Sequence, residues 1–290
     1  MIPKISKFAL MIAGIGALWA QDGAAVFRSE VRLVEVYATV FDHKGRYLDG
    51  LSGSNFEVRD EGVPQPLVSF ESNSSKLSCA ILLDTTGSMF RALPGVKNAV
   101  VHLIDEARPE DTLAVYSFNT SLNVLHDFTS DKAALKTAVL RTRAAGETAL
   151  FDSISQAAAA IGKRSGKKVM IVFTDGDDNA SVLNANAALS RVKKLGIPIY
   201  TIAEGDAVTS SVLSKGLREI SQVTGGAPYT VKKPKDIETA FADIAEDLQH
   251  GYMLTYKPPP ATGFGWRKIE LVLNGQKDAR IRAREGYLPE

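Results

Sequence analysis

The chain has 290 residues, 45% of them hydrophobic and 23% charged, with a formal net charge of +1. That length suits one large folded domain with a smaller companion, and the ordinary composition excludes a disordered or fibrous chain. Near-neutrality gives no general attraction to nucleic acid or to an anionic membrane surface, and the single cysteine, Cys79, excludes an internal disulfide and a thiolate zinc cluster.

Lys4 and Lys7 precede an uncharged run over 8–20, which Gln21 and Asp22 close. A positive start and a short apolar stretch predict a secretory signal peptide at 1–20, with an uncleaved membrane anchor as the alternative. The expected location is therefore exported, periplasmic or extracellular, and membrane contact is expected only where this segment stays uncleaved. Residues 26–71 read as strands. The stretch 31–41 is rich in β-branched residues, Asp42 to Gly45 makes a turn, and 55–62 gives a second short strand and turn. Pro64 and Pro66 limit the next segment to an edge or a loop.

From Ser78 the pattern changes. Strands are expected at 79–83, 112–118, 168–173 and 197–203, and helices at 90–106, 132–143, 149–163, 182–195, 210–223 and 236–250. The continuous apolar run from Val169 to Phe173 is what a parallel sheet covered on both faces requires. This alternation predicts an α/β fold over 77–248, a doubly wound and mostly parallel sheet of the Rossmann-like kind. After His250 the helical pattern stops. Residues 251–256, 266–273 and 279–284 read as strands, and Asn274-Gly275 is a hairpin signal between the last two. The strand-rich segments 26–71 and 251–290 flank the α/β block. They are expected to form one smaller all-β domain into which the block is inserted, two independent flanking sheets being the alternative.

The chemistry lies at the strand ends. An apolar strand stops at Asp84, and oxygen-bearing side chains recur at alternate positions, Asp84, Thr86 and Ser88. A second apolar strand stops at Asp175, and Thr148 stands at the head of a helix. In an open α/β sheet ligands bind outside the carboxyl ends of the strands, so both carboxylates fall on one rim. Carboxylates and hydroxyls build a hard, oxygen-lined pocket suited to a divalent cation of the Mg²⁺ type. Each residue also has a plainer role. Thr148 suits a helix N-cap, Ser88 a cap for the helix near residue 90, and Asp84 and Asp175 suit turns. It is the convergence of all five that favours a cation site.

An enzyme is the rival reading. An aspartate at a strand end beside Mg²⁺ also describes phosphatases and phosphotransferases of the haloacid-dehalogenase type. Those use a second carboxylate two residues on, where this chain has Thr86. Ser88 lacks the Gly-x-Ser-x-Gly elbow, and no phosphate loop of the Gly-x-x-x-x-Gly-Lys kind is present. The four histidines are scattered. No catalytic residue is expected.

The three-part pattern resembles the von Willebrand factor type A domain, whose metal-ion-dependent adhesion site reads Asp-x-Ser-x-Ser, then a distant Thr, then a distant Asp. Asp84, Thr86, Ser88, Thr148 and Asp175 match it, with Thr86 standing where the family usually has its first Ser. Thr keeps the hydroxyl, and its methyl narrows the site. The resemblance spans about 77–248. The flanks resemble bacterial exported "VWFA-related" proteins through Asp42 to Gly45, Asn55 to Val58 and Asp60 to Gly62. At the other end Tyr252, Tyr256, Trp266 and the stretch Ala283 to Tyr287 carry the likeness.

The resemblance implies a protein-binding, adhesion-type module rather than an enzyme. Its cofactor would be Mg²⁺, with Mn²⁺ or Ca²⁺ as alternatives. Thr86, Ser88 and Thr148 would act as hydroxyl ligands, and Asp84 and Asp175 would bind directly or through water. The partner would be a protein offering an acidic residue. A structural module that keeps the fold and has lost ion affinity is the alternative that Thr86 raises.

Overall fold

The computed structural model describes residues 33–72, 74–176, 178–260, 263–276 and 278–289. The expected signal segment at 1–20 lies outside them. The described elements open with β1 (Val34–Phe41), β2 (Phe56–Asp60), β3 (Val63–Gln65) and β4 (Leu67–Glu71). The middle runs β5 (Leu77–Asp84), α1 (Leu93–Glu106), β6 (Thr112–Phe118), β7 (Leu122–Thr129), α2 (Lys132–Arg141), α3 (Leu150–Gly162), β8 (Lys167–Thr174) and α4 (Ala185–Leu195). Then come β9 (Ile199–Ala203), α5 (Asp206–Thr209), α6 (Ser211–Thr224), β10 (Pro228–Thr230) and α7 (Lys235–Gln249). The last elements are β11 (Tyr252–Tyr256), β12 (Arg267–Leu273), β13 (Arg280–Ala283) and β14 (Gly286–Tyr287).

Six strands form the central sheet in the order β10-β9-β8-β5-β6-β7, parallel throughout except for β6 against β7. Every residue of β5 and β8 is buried, which explains their unbroken apolar runs. Successive side chains take opposite faces. Leu77, Cys79, Ile81 and Leu83 join the core under α1, α2 and α7, while Ala80 and Leu82 join the core under α3, α4 and α6. Each fully buried Leu, Ile or Val there contributes roughly 1.5–3 kcal/mol by leaving water. Cys79 is a buried member of the first core, and burial pushes its thiol pKa up, so it serves as a small hydrophobe.

The structure departs from the expected elements in several places. β7 and β10 extend the sheet beyond the expected strands. β7 is a half-exposed antiparallel edge whose pairing slips near Val115, so it carries no continuous apolar run. The helix expected from residue 90 starts at Leu93, because Gly87–Phe90 forms a 3₁₀ turn and a proline sets the first helical turn. The helix expected from 182 starts at Ala185, where the Asn184 side chain accepts the Ala187 N–H at 2.9 Å. The strand expected from 197 starts at Ile199, after Pro198, which has no N–H for the ladder.

The two flanks interleave. One antiparallel sheet has the order β13-β1-β11-β4, the other β14-β12-β2-β3, so each draws strands from both flanks. They share a third core that includes Val36, Phe56, Val58, Tyr252, Leu254 and Tyr256. This sandwich meets the edge of the central sheet where β8 begins. The Lys168 N–H donates to the Tyr37 hydroxyl at 3.0 Å, Lys168 Nζ pairs with Glu35 at 2.9 Å, and Lys167 Nζ donates to the Gly251 carbonyl at 2.8 Å. Asp247 of α7, 2% exposed, accepts hydrogen bonds from the Tyr200 hydroxyl and from Arg282 of β13. The opposite edge, where β5 and β8 end, is left to the loops.

Gly226 shows how tightly β9 is held. A Cβ added there would stand 2.1 Å from the Ile199 carbonyl oxygen. Gly226→Ala is expected to lower stability by about 3 kcal/mol through overpacking against backbone. Thermal unfolding of the variant checks this, and an unchanged midpoint would contradict it.

Candidate metal centre

Three loops build the site. The first follows β5. Asp84 is fully buried at the end of that strand, and its Oδ1 accepts the Thr86 N–H at 2.9 Å and the Thr86 hydroxyl at 2.7 Å. This is the tight turn that an aspartate closes through its own neighbours. It aims the Thr86 Oγ1 inward, 3.0 Å from Ser88 Oγ, so the oxygen of this threonine faces the site.

The second loop leads into α3. Its backbone is stapled to the first, since the Ala145 N–H donates to the Thr85 carbonyl at 2.8 Å and the Gly87 N–H to the Gly146 carbonyl at 3.2 Å. Gly146 has φ +86°, a conformation that glycine adopts without strain. Thr148 follows, 4% exposed, with its N–H donating to Asn179 Oδ1 at 2.8 Å and its carbonyl accepting from Asn179 and Ala180.

Thr148 does not cap α3. The Phe151 N–H goes to Asp178 Oδ2 at 2.8 Å and the Asp152 N–H to Ser181 Oγ at 3.0 Å, so residues from a distant loop take the helix's free amides. Among the described residues the Thr148 hydroxyl makes no hydrogen bond. Ser88 is likewise no cap for α1, since its hydroxyl donates to Asp175 Oδ1 at 2.8 Å.

The third loop follows β8. The Thr174 hydroxyl donates to Asp84 Oδ2 at 2.7 Å, tying the ends of β5 and β8 together. Gly176 then passes so close that a Cβ there would lie 3.7 Å from both Ser88 Oγ and Thr148 Oγ1. Hydrogen bonds and this shared neighbour thus bring all five expected residues, Asp84, Thr86, Ser88, Thr148 and Asp175, to one place on the rim.

The electrostatics leave the site short of positive charge. Burial, partly offset by hydrogen bonds from Thr86 and Thr174, pushes the Asp84 carboxyl up to about 6. Burial also raises Asp175, whose shift the Ser88 hydrogen bond moderates. Glu204, at the end of β9, is raised by burial and by the charge of Asp175. Among the described residues no lysine, arginine or histidine forms an ion pair with any of the three. Their acidic groups alone make no ligand cage, so a cation here would draw on the hydroxyls as well. Glu204 escaped the sequence reading, although its signal is the same as that of Asp84 and Asp175, a carboxylate just past an apolar strand.

The von Willebrand factor type A domain profile matches residues 79–243, more than half of the chain. The chain belongs to the von Willebrand factor type A family. Solved structures share the fold of this type A domain. A von Willebrand factor type A protein from Catenulispora acidiphila is 15% identical with a TM-score of 0.54, covering 89% of this chain and 74% of its own. Proximal thread matrix protein 1 from the mussel byssus is 19% identical with a TM-score of 0.54, covering 65% of this chain and 49% of its own. The PilB minor pilin from Streptococcus sanguinis is 14% identical with a TM-score of 0.51, covering 63% of each chain. No curated protein matches the chain. Type A domains are typically protein-interaction modules and generally not enzymes. Among the described residues no helix is long and apolar enough to cross a membrane.

Proposed function

We propose that this type A domain is an exported, metal-ion-dependent protein-binding module that takes Mg²⁺ at the rim and captures an acidic side chain of a partner. The observation that carries the reading is the convergence of three inward-turned hydroxyls with two carboxylates that have no cationic partner. A donor set of hydroxyls and carboxylates fits a hard divalent ion, Mg²⁺ or Mn²⁺, better than a soft one. A bound cation would supply an electrophilic coordination position for the partner's carboxylate.

The chain's own residues define the rest. Thr86, Ser88 and Thr148 offer neutral oxygens, which leave more of the cation's charge for an incoming acid than carboxylates would. Asp84 and Asp175 supply the negative charge, and the Thr174 hydroxyl fixes the orientation of Asp84. The Asn179 side chain and the Asp178 cap on α3 hold Thr148 rigid, so its hydroxyl is preorganised. The N-terminal segment at 1–20, read as a signal peptide, supports placement in the periplasm or outside the cell.

The test is retention of envelope proteins on the immobilised chain in Mg²⁺ and in EDTA. Capture in Mg²⁺ that EDTA releases is expected. Equal capture in both would refute the reading.

Cation binding should also depend on pH. Without a cation the Asp84 carboxyl titrates at about 6, so a proton competes for the same oxygens below that pH. Mg²⁺ affinity is expected to hold near pH 7.5 and to fall roughly tenfold per unit below 6. Calorimetric titration at pH 7.5, 6 and 5 measures it, and a flat profile would contradict the assignment of Asp84.

A further inference from the structure

Beside the five expected donors, two of them carboxylates, stands a further carboxylate. Glu204 follows β9, and its N–H donates to the Thr174 carbonyl at 3.0 Å, one residue before Asp175. The next residue, Gly205, has φ +52°, and a Cβ there would stand 3.0 Å from the Asp175 carbonyl oxygen. The Ala207 N–H donates to that same carbonyl at 3.2 Å. The segment 204–207 is therefore seated directly on the backbone of Asp175.

One oxygen of Glu204, Oε2, is shut off from solvent and has no hydrogen-bond partner among the described residues. Burying a carboxylate oxygen without a partner is costly, and folded proteins as a rule satisfy such atoms with a donor, an ordered water or an ion. The like charge of Asp175 adds to the cost. Among the described residues the acidic groups alone do not form a ligand cage. Mg²⁺ keeps several of its waters when it binds, and those waters need acceptors.

We propose that Glu204 is an outer carboxylate of the cation site, accepting a hydrogen bond from a cation-bound water and thereby raising the affinity of the rim for Mg²⁺ and Mn²⁺. The inference rests on the proposed function and assigns to the same site a residue outside the five-donor pattern. Such a carboxylate orients and polarises a ligand without touching the metal.

The experiment is calorimetric titration of Mg²⁺ and of Mn²⁺ into wild type, Glu204→Gln and Asp206→Asn, with thermal midpoints taken with and without cation. Glu204→Gln keeps the shape and removes the charge. It is expected to weaken both cations about tenfold, the low end of what losing an outer partner costs. It is also expected to raise the midpoint of the cation-free protein and to shrink the further rise on adding Mg²⁺. A merely structural role would shift the midpoint equally in both conditions and leave the affinity alone. Asp206 is exposed and also raises the Asp175 pKa through its charge, so Asp206→Asn reports general surface charge and should change affinity by no more than about twofold.

If wild type and Glu204→Gln bind equally, or Asp206→Asn weakens binding as much, the inference is overturned while the proposed function stands. If wild type binds neither cation, both fall together.

Discussion

Asp84→Ala is expected to abolish measurable Mg²⁺ binding, a loss of at least about a hundredfold, or roughly 2.7 kcal/mol, while the fold remains intact. Two opposing effects on stability explain the second half. The substitution removes the acceptor of the Thr86 N–H and of the Thr86 and Thr174 hydroxyls, at about 1 kcal/mol each. It also removes a fully buried carboxylate that no positive residue pairs with, which relieves a desolvation cost of similar size. Affinity has no such compensation, because Asp84 is the one carboxylate at the floor of the site, tied to both β5 and β8. Calorimetry reads the binding and near-ultraviolet circular dichroism reads the fold. Equal affinity in variant and wild type would remove Asp84 from the site, and loss of the dichroism signal would show a structural role.

A large stability effect is also expected at the junction between the sandwich and the α/β body. Arg282 of β13 reaches Asp247 of α7, which the Tyr200 hydroxyl also contacts, and the Arg282 side chain extends to the Thr39 hydroxyl at 3.0 Å. Asp247 is 2% exposed on its side chain and Arg282 26%. Removing one partner of such a pair leaves a charge buried and uncompensated, which costs about 3–5 kcal/mol. Arg282→Met is placed at the lower end because the arginine is partly solvated. About 3 kcal/mol corresponds to a fall of roughly 6–12 °C in thermal midpoint for a chain of this size. Adding Asp247→Asn to Arg282→Met should return more than half of that loss, since the amide carries no charge and still accepts from Tyr200. A double variant no more stable than Arg282→Met would show that shape, not charge, holds the junction.

Much of this architecture is legible from periodicity alone. The runs around Ile81 and Ile171 are apolar on both faces because helices cover both sides, and that pattern separates them from the looser alternation of the flanks. β7 carries no such signal. Its residues are half exposed, its pairing slips, and an edge strand makes few demands on side-chain sidedness. Helix starts depart from the apolar pattern where local chemistry decides them, as at Asn184, whose cap forms after the pattern has already begun.

The site divides in the same way. Asp84, Thr86 and Ser88 lie within one turn, so their proximity follows from the spacing. The role of Thr148 is not settled locally. It turns on Asp178 and Ser181, which take the amides of α3 from a distant loop and leave the threonine hydroxyl available. Asp247 sits among apolar positions of α7, next to Ile244, Ala245 and Leu248, and a charge on a buried helix face is the available sign of a partner elsewhere. The partner itself, Arg282, lies on the far side of the sandwich topology and is invisible to any local window.

Anomalous diffraction from crystals grown with Mn²⁺ would locate the cation outright. One strong peak is expected, enclosed by Thr86, Ser88, Thr148, Asp84 and Asp175, with the hydroxyl oxygens nearest to the ion at about 2.0–2.3 Å, as suits a small hard divalent cation. No peak at saturating Mn²⁺, or a peak away from this rim, would show that the five oxygens do not hold a cation together.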